Sequence, residues 1–445
     1  MNGENLASPR ERNAFVRLIQ KAVDVKASEV RALLLGSIYY FLIFSSYYII
    51  RPIRDDIGAA NGTDKLPWLF TGTMIAMLFA NALFAGLVVK FSRRQFIQIA
   101  YRFLIANLLI FFFLLLTLSK AHQVWVGRAF FVWTSVFNLF VVSVFWAFMV
   151  DVFSTEQGKR LFGFISVGGT LGAIVGAAIT ATLVQKIGSL NLLLVSAVLL
   201  ELGAQCARRF PTTLAGSSAP GSKSNRDGAP IGGSIWAGII HNAKSPYLLG
   251  ICTYMFLYAT TSTLLYFQQA DIARRAFADG AARTAFFAKI DLVVNILAIL
   301  GQTFLAAKLL KWAGVGVTLA VLPALSVIGF AALGFGPTLV LLVVFLTLRR
   351  ATDFALARPA RETLFTVISR EDKYKAKNLI DTLVYRGGDQ FGAWSTDLLR
   401  RAGLGLAGVS LVAAPIAAIW LLVSLWLGRQ QVRMASEAQP SPATD

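Results

Sequence analysis

The sequence predicts an all-α polytopic membrane protein with about twelve transmembrane helices in two pseudo-repeated six-helix halves. Three observations carry this. Of 445 residues, 56% are hydrophobic and only 15% charged, whereas an ordinary soluble domain carries about 25% charged residues. The charges sit in clumps between apolar runs of about 20 residues, the length that crosses about 30 Å of hydrocarbon. One low-complexity stretch, Thr212–Gly233, rich in Gly, Ser, Ala and Pro, falls between the sixth and seventh runs. This pattern excludes a soluble enzyme, a disordered chain and a disulfide scaffold.

Residues 1–30 mix acids and bases and lack the short apolar core of a signal peptide. Phe15, Leu18, Ile19, Ala22 and Val23 fall at helical spacing opposite charged positions, which predicts a cytoplasmic amphipathic helix lying on the membrane. The N-terminal half (31–206) follows with spans near 31–50, 67–89, 97–118, 125–150, 161–184 and 190–206. A cytoplasmic linker occupies 207–245. The C-terminal half (246–427) has spans near 246–266, 285–307, 316–334, 338–357, 378–398 and 404–427, and a tail runs from 428 to 445. With the N-terminus inside, inner segments hold 26 Lys and Arg, outer segments 10 and the spans six. That contrast places both termini in the cytoplasm. It also explains the net charge of +19 without nucleic acid as a partner. The expected setting is a bacterial inner membrane and the expected state a monomer. Cys206 and Cys252 lie in apolar runs, and His122 and His241 in loops, so no disulfide framework, metal site or cofactor is expected.

The halves carry matching segments. Ala85–Phe91 after span two has a counterpart in Ala306–Trp312, 221 residues later. Ser154-Thr155-Glu156 matches Ser369-Arg370-Glu371 at an offset of 215, and Gly168-Gly169 matches Gly387-Gly388 at 219. Three matches at nearly constant offset around a central linker predict a duplicated unit. Two parallel halves about a central cavity is the architecture of major facilitator transporters. Gly169, Gly172 and Gly176, spaced by three and four, predict close helix packing, with bending during transport as the alternative. Gly403–Gly408 matches a dinucleotide fingerprint on paper, but it lacks a preceding strand and opens an apolar span.

Ionisable groups inside hydrocarbon are costly, so each is a functional candidate. Span one ends in Tyr47-Tyr48-Ile49-Ile50-Arg51-Pro52-Ile53-Arg54-Asp55-Asp56. Its arginines serve either as interface anchors or, with the two carboxylates at a Pro-broken helix end, as an anion site or outer gate. Span eight carries Lys289 and Asp291, candidates for the site or for snorkelling to the interface. Span ten holds Arg349, Arg350 and Asp353; Asp353 is one helical turn from both arginines, which suggests a local pair. Arg358 and Arg361 follow on one face. The strongest site is Asp381–Asp389 in span eleven, where Arg386 lies near the bilayer midplane and Asp389 three residues on. They form either a structural pair or a substrate and coupling site.

These residues resemble the bacterial and plastid ATP/ADP antiporters, a nucleotide-exchange branch related to the major facilitators. Ile50-Arg51-Pro52-Ile53-Arg54-Asp55 is similar to that family's first-helix Leu-Arg-x-x-Lys-Asp signature. Phe145-Trp146-x-Phe148 with Glu156-x-x-Lys159-Arg160-Leu161-Phe162 resembles its Phe-Trp-x-Phe…Glu-Ala-Lys-Arg-Phe-Tyr block. Arg361-Glu362 and Lys373-x-Lys375-x-Lys377-x-x-Ile380-Asp381 resemble its Lys-Glu…Lys-x-Lys-x-Lys-x-x-Ile-Asp block. Asp151 falls at a position often acidic in that family. Asp389 stands where the family carries Lys, and Tyr385-Arg386 replaces its Asn-Pro pair.

The resulting expectation is a secondary active transporter, not an enzyme, moving an organic anion by alternating access. The resemblance implies exchange of a nucleotide or phosphorylated metabolite. A proton-coupled exporter of an amphipathic molecule and a non-transporting assembly or sensor partner are the alternatives. Expected substrate residues are Tyr48, Arg54, Asp55, Lys289, Arg358, Arg361 and Arg386; expected coupling or gating residues are Asp151, Asp291, Asp381 and Asp389.

Overall fold

The structure is a computed structural model that describes residues 25–26, 28–90, 93–210, 245–368, 376–377 and 379–437. The amphipathic N-terminal segment, the Gly/Ser-rich linker, the Arg370–Lys375 charges and the last eight residues lie outside them. No strand occurs among the described residues. In chain order the helices are α1 Val30–Ala60, α2 Leu66–Lys90, α3 Arg93–Thr117, α4 Lys120–Val152 and α5 Thr155–Arg208. They continue with α6 Pro246–Ala276, α7 Gly280–Gly301, α8 Ala307–Phe335, α9 Leu339–Thr352, α10 Arg358–Leu364, α11 Tyr385–Arg401 and α12 Leu406–Glu437. Three π-helical turns interrupt the second half: Gln302–Ala306, Asp353–Ala357 and Ile380–Val384.

Seven of the described apolar stretches are long enough to cross a membrane, and two of these, Glu156–Arg208 and Gly280–Phe335, are double length. Each double-length stretch is broken by one glycine. Gly188 (φ 78°) and Gly314 (φ 75°) occupy the left-handed region that only glycine enters at little cost. Helix starts are signed locally. Ser154 and Gln157 close a reciprocal capping box at α5, Ser245 accepts from the Leu248 amide ahead of Pro246 at α6, and Asp279 accepts from the Ala282 amide at α7.

By contacts the chain divides into two compact units, Met1–Arg54 with Ala76–Asn225, and Asp55–Ile75 with Arg226–Asp445. In the first unit α5 lies directly on α1. A Cβ added at Gly168, Gly172 or Gly176 would strike the carbonyl oxygen of Ser37, Phe41 or Ser45, and one at Gly169 would strike the Tyr40 ring. The small-residue spacing is therefore a packing face. Hydroxyls lock the seam: Ser45 donates to the Gly172 carbonyl at 3.0 Å, and Ser46 pairs with Ser196 at 2.8 Å. Phe145 stacks on Tyr40 with centroids 4.2 Å apart and Trp146 packs against Phe162, so this aromatic block joins α1, α4 and α5.

The second unit repeats the device. A Cβ at Gly388 would meet the backbone of Phe256, and one at Gly392 the backbone of Thr260, both on α6. Gly168 and Gly388 are 220 residues apart, and their partners Ser37 and Phe256 are 219 apart. The duplication is thus written in both members of a packed pair. Gly387, in contrast, faces open space. The larger apolar cores of this unit lie around Tyr254, Met255, Leu319 and Trp420, and around Leu264, Val294, Phe330, Phe345 and Ala413.

Candidate functional site

Two ion pairs of the second unit lie at two of the π-helical turns. A π-helix bonds residue i to residue i+5 and often marks functional positions. Asp353 opens one such turn and Arg358 follows it, with the Arg358 amide bonded to the Asp353 carbonyl. That spacing of five brings the side chains together, Arg358 Nε donating to Asp353 Oδ2 at 3.1 Å. The expected partnership of Asp353 with Arg349 or Arg350 is therefore corrected. The helix is regular up to Asp353, and the extra residue of the π turn that starts there brings Arg358, five residues on, to the carboxylate. Tyr258 on α6 donates its hydroxyl to the same Asp353 oxygen at 2.9 Å.

The second turn, Ile380–Val384, precedes Tyr385 and Arg386. Arg386 donates to Asp389 Oδ2 at 3.1 Å, and Thr263 donates to Asp389 Oδ1 at 3.0 Å. Tyr258 and Tyr385 stand between the two ion pairs with ring centroids 6.1 Å apart, and Arg386 lies over the Tyr385 ring at 5.4 Å. Both cations remain reachable: the Arg358 side chain is 52% exposed and that of Arg386 29%, against about 10% for each carboxylate. The arrangement offers two forked guanidiniums, each held by a carboxylate on its own helix and flanked by phenols. An anion with several oxygens can engage such forks in bidentate fashion.

The remaining expected residues fall elsewhere. Arg361 points to the sulfur of Met255 at 3.0 Å, on the far turn of α10. Asp291 is 1% exposed and pairs with Arg350 at 2.6 Å. Snorkelling is excluded for Asp291, whose partner lies on α9 inside the unit. Lys289, two residues away on the opposite face, is exposed and lines a separate apolar groove of about 470 Å³ with Phe286, Val293, Val344 and Leu348. The structure does not bring Lys289 to the Arg358–Arg386 cluster. The side chain of Asp381 lies outside those described.

In the first unit, Tyr48 is buried and carries Arg51 over its ring at 5.4 Å. Arg54 lies over the Phe131 ring at 4.0 Å and donates to the Phe131 carbonyl at 3.3 Å. Asp151 is exposed at the end of α4. Arg160, in the Glu156-x-x-Lys159-Arg160 segment, pairs with Glu29 at 3.2 Å, and Gln157 donates to the same carboxylate at 2.8 Å. Burial pushes the Glu29 carboxyl up. The Lys26 amide, the Gln157 amide and the Arg160 guanidinium outweigh it and hold the group below the ordinary 4.5.

The Asp55–Ile75 hairpin belongs to the second unit through specific polar contacts. Asp55 accepts from the Tyr266 hydroxyl at 3.1 Å, and Asp56 accepts from Arg283 Nε at 2.6 Å. Thr71 donates to Gln390 at 2.8 Å, and Trp68 packs edge-on against Trp394 with centroids 5.0 Å apart. Asp55 is thus a carboxylate engaged by α6 and 211 residues distant from its partner in sequence. Sequence reasoning missed Tyr258, Tyr385, Asp56 and Arg283 as partners. Only Asp56 and Tyr385 lay in segments it had singled out.

No family model matches the chain, and no curated protein matches it by sequence. Solved structures do. A bacterial homolog of the human lysosomal transporter Spinster, in an inward-facing and unoccupied conformation, aligns with 94% of this chain and 100% of its own at TM-score 0.53 and 15% identity. The nucleoside transporter NupG aligns over 92% and 99% at TM-score 0.56 and 14% identity. A D-xylose-proton symporter aligns over 91% and 97% at TM-score 0.60 and 11% identity. The fold is of the major facilitator type. The chain is an all-α integral membrane protein.

Proposed function

We propose that this protein is a secondary active transporter that moves a small organic anion by alternating access, with a nucleotide or phosphorylated metabolite exchanged across the membrane as the first reading. The observation that carries it is the pair of accessible arginines, Arg358 and Arg386, each placed after a π-helical turn and each tethered to a carboxylate. A transmembrane guanidinium kept reachable at such cost marks a solute pathway. The resemblance of three sequence blocks to ATP/ADP antiporters supports phosphorylated substrates, and a nucleoside transporter shares the fold. Arg54, in the first unit, and Arg361 are further proposed substrate contacts, Arg54 through its match to the charged first-helix position. Localisation in a bacterial inner membrane with both termini inside is part of the same proposal.

A second reading is favoured by one observation. Asp389 is buried, and besides Arg386 it holds the Thr263 hydroxyl. A carboxylate with a removable partner can take up a proton, and a D-xylose-proton symporter shares the fold. A thermal-shift panel of the purified protein separates these readings. A phosphorylated ligand at a hundredfold excess over its dissociation constant stabilises the folded state by about 2.7 kcal/mol. Stabilisation by nucleotides or phosphorylated metabolites, but not by neutral nucleosides or sugars, supports exchange of an anion. Stabilisation by neutral compounds alone overturns it.

A further inference from the structure

Arg349, on α9, belongs to neither ion pair. It is buried, and its hydrogen bonds all go to neutral acceptors: Nε to Ser326 Oγ at 3.1 Å, Nη1 to Ser262 Oγ at 3.0 Å, and Nη2 to Thr261 Oγ1 at 3.0 Å. Those hydroxyls have committed their protons to carbonyls of their own helices, Ser326 to Leu322, Ser262 to Tyr258 and Thr261 to Leu257. Their lone pairs are therefore the part presented to the guanidinium. The rings of Tyr258 and Trp420 add their faces at 5.6 and 5.8 Å. Three helices thus build a cradle for a guanidinium that forms no direct ion pair with a carboxylate among the described residues. A buried charge without an opposite partner is costly to keep, and arginine does not escape by losing its proton.

Asp353 lies one helical turn along, its amide bonded to the Arg349 carbonyl, and the Tyr258 ring that Arg349 lies over donates its hydroxyl to the Asp353 carboxylate. Its direct partners are Arg358 and the Tyr258 hydroxyl. Of the two cations that serve Asp353, one is half exposed and the other sealed. We infer that Arg349 is a positioning residue, a reserve counter-charge that keeps Asp353 ionised when an anionic solute draws Arg358 away. This rests on the anion reading above for the identity of what arrives, but not for the behaviour of Asp353 itself. With Arg349 in place, Arg358 can exchange its carboxylate for a solute without a proton entering the site. Without it, Asp353 would be stranded in a buried position and would take up a proton.

The other groups around Asp353 do not substitute. On α6 it faces the phenols of Tyr254 and Tyr258. Tyr385 on α11 reaches Arg349 and Arg358. Arg361 on α10 bears on Tyr254, and Arg350 is committed to Asp291. Tyr254 Oη and Trp420 Nε1 are buried donors with no hydrogen-bond partner among the described residues. Phenols and an indole supply hydrogen bonds, not the missing positive charge.

The test reads the protonated-carboxyl band of Asp353 by infrared spectroscopy of the purified full chain at neutral pH, assigned by its loss in Asp353→Asn. Arg358→Gln imitates the captured arginine without any ligand. The inference expects no Asp353 band in Arg358→Gln, a band in Arg349→Gln/Arg358→Gln, and its disappearance again in Arg349→Lys/Arg358→Gln. A band in Arg358→Gln alone, or none in the double glutamine variant, overturns it. Should Arg349→Gln not fold, Tyr258→Phe/Arg358→Gln decides. Absence of the band there leaves Arg349 as the holder, and its presence assigns the role to Tyr258 and overturns the inference. A second arm adds ATP to the wild type and to Arg349→Gln. The band should rise only in the variant, and a rise in the wild type overturns the inference. If ATP neither binds nor changes the band in any variant, ATP as the arriving anion fails, while the Arg358→Gln series still judges Arg349.

Discussion

Replacing Asp291 by Ala should cost this protein more stability than removing any other single carboxylate of an ion pair described above. The pair it forms with Arg350 spans 2.6 Å between α7 and α9, and its side chains are 1% and 16% exposed. Solvent cannot screen the arginine once its partner is gone. Breaking one side of a buried pair costs about 3–5 kcal/mol, because an uncompensated charge remains. Removing both charges is different: two apolar residues of similar volume in place of such a pair are often neutral or stabilising. Asp291→Leu with Arg350→Leu should therefore recover most of the loss. The exposed pair Arg433–Glu437 near the end of α12, 72% and 61% exposed, supplies the contrast. Glu437→Gln should change stability by about 0–1 kcal/mol. Unfolding in detergent, followed by tryptophan fluorescence for all four proteins, reads these differences directly. An Asp291→Ala variant within about 1 kcal/mol of wild type would refute the reasoning, as would a double leucine variant no better than the single alanine.

Three further outcomes follow from the same geometry. Gly388→Leu should prevent α11 from docking on α6, whose backbone it touches, whereas Gly387→Ala, facing open space, should express and purify normally; overpacking of this kind costs about 1–3 kcal/mol or more. The Glu29 carboxyl is held below 4.5 in the folded state, so its contribution is fully present above that value and is lost as the pH falls through the lowered folded value; Glu29→Gln should flatten the acid side of a stability–pH curve, and an unchanged curve would show that Arg160 does not hold it. Arg386→Ala should destabilise the protein by taking the guanidinium from the buried Asp389, while Arg386→Ala with Asp389→Ala should recover folded protein but not transport; a double variant that transports like wild type would remove the pair from the mechanism.

The apolar runs were legible because they follow from local composition and period, and so was the glycine repeat, though the sequence match pairs Gly168 with Gly387 where the packed counterpart is Gly388. So was the face shared by Arg386 and Asp389, which needs only the geometry of one helical turn. The pairing of Asp353 was misread for a physical reason. The helix is regular up to Asp353, and the π turn that starts there brings Arg358, five residues on, beside the carboxylate, a placement that counting by 3.6 does not foresee. Lys289 and Asp291 were both read as site candidates or snorkelling residues, but two residues apart on a helix they take opposite fates, one in an exposed groove and one in a buried ion pair. The contacts of the α1–α2 hairpin were out of reach of sequence reasoning altogether. Asp56 and Arg283 are 227 residues apart, and nothing in either local pattern names the other.

The central claim is that Arg358 and Arg386 receive the transported anion. Proteoliposomes loaded with unlabelled ADP and supplied with labelled ATP measure it by counterflow, with AMP and sugar phosphates as parallel internal loads. The wild type should accumulate label against at least one phosphorylated internal load, and Arg358→Gln/Arg386→Gln, reconstituted in equal amount, should not. Undiminished counterflow in that double variant would contradict the account.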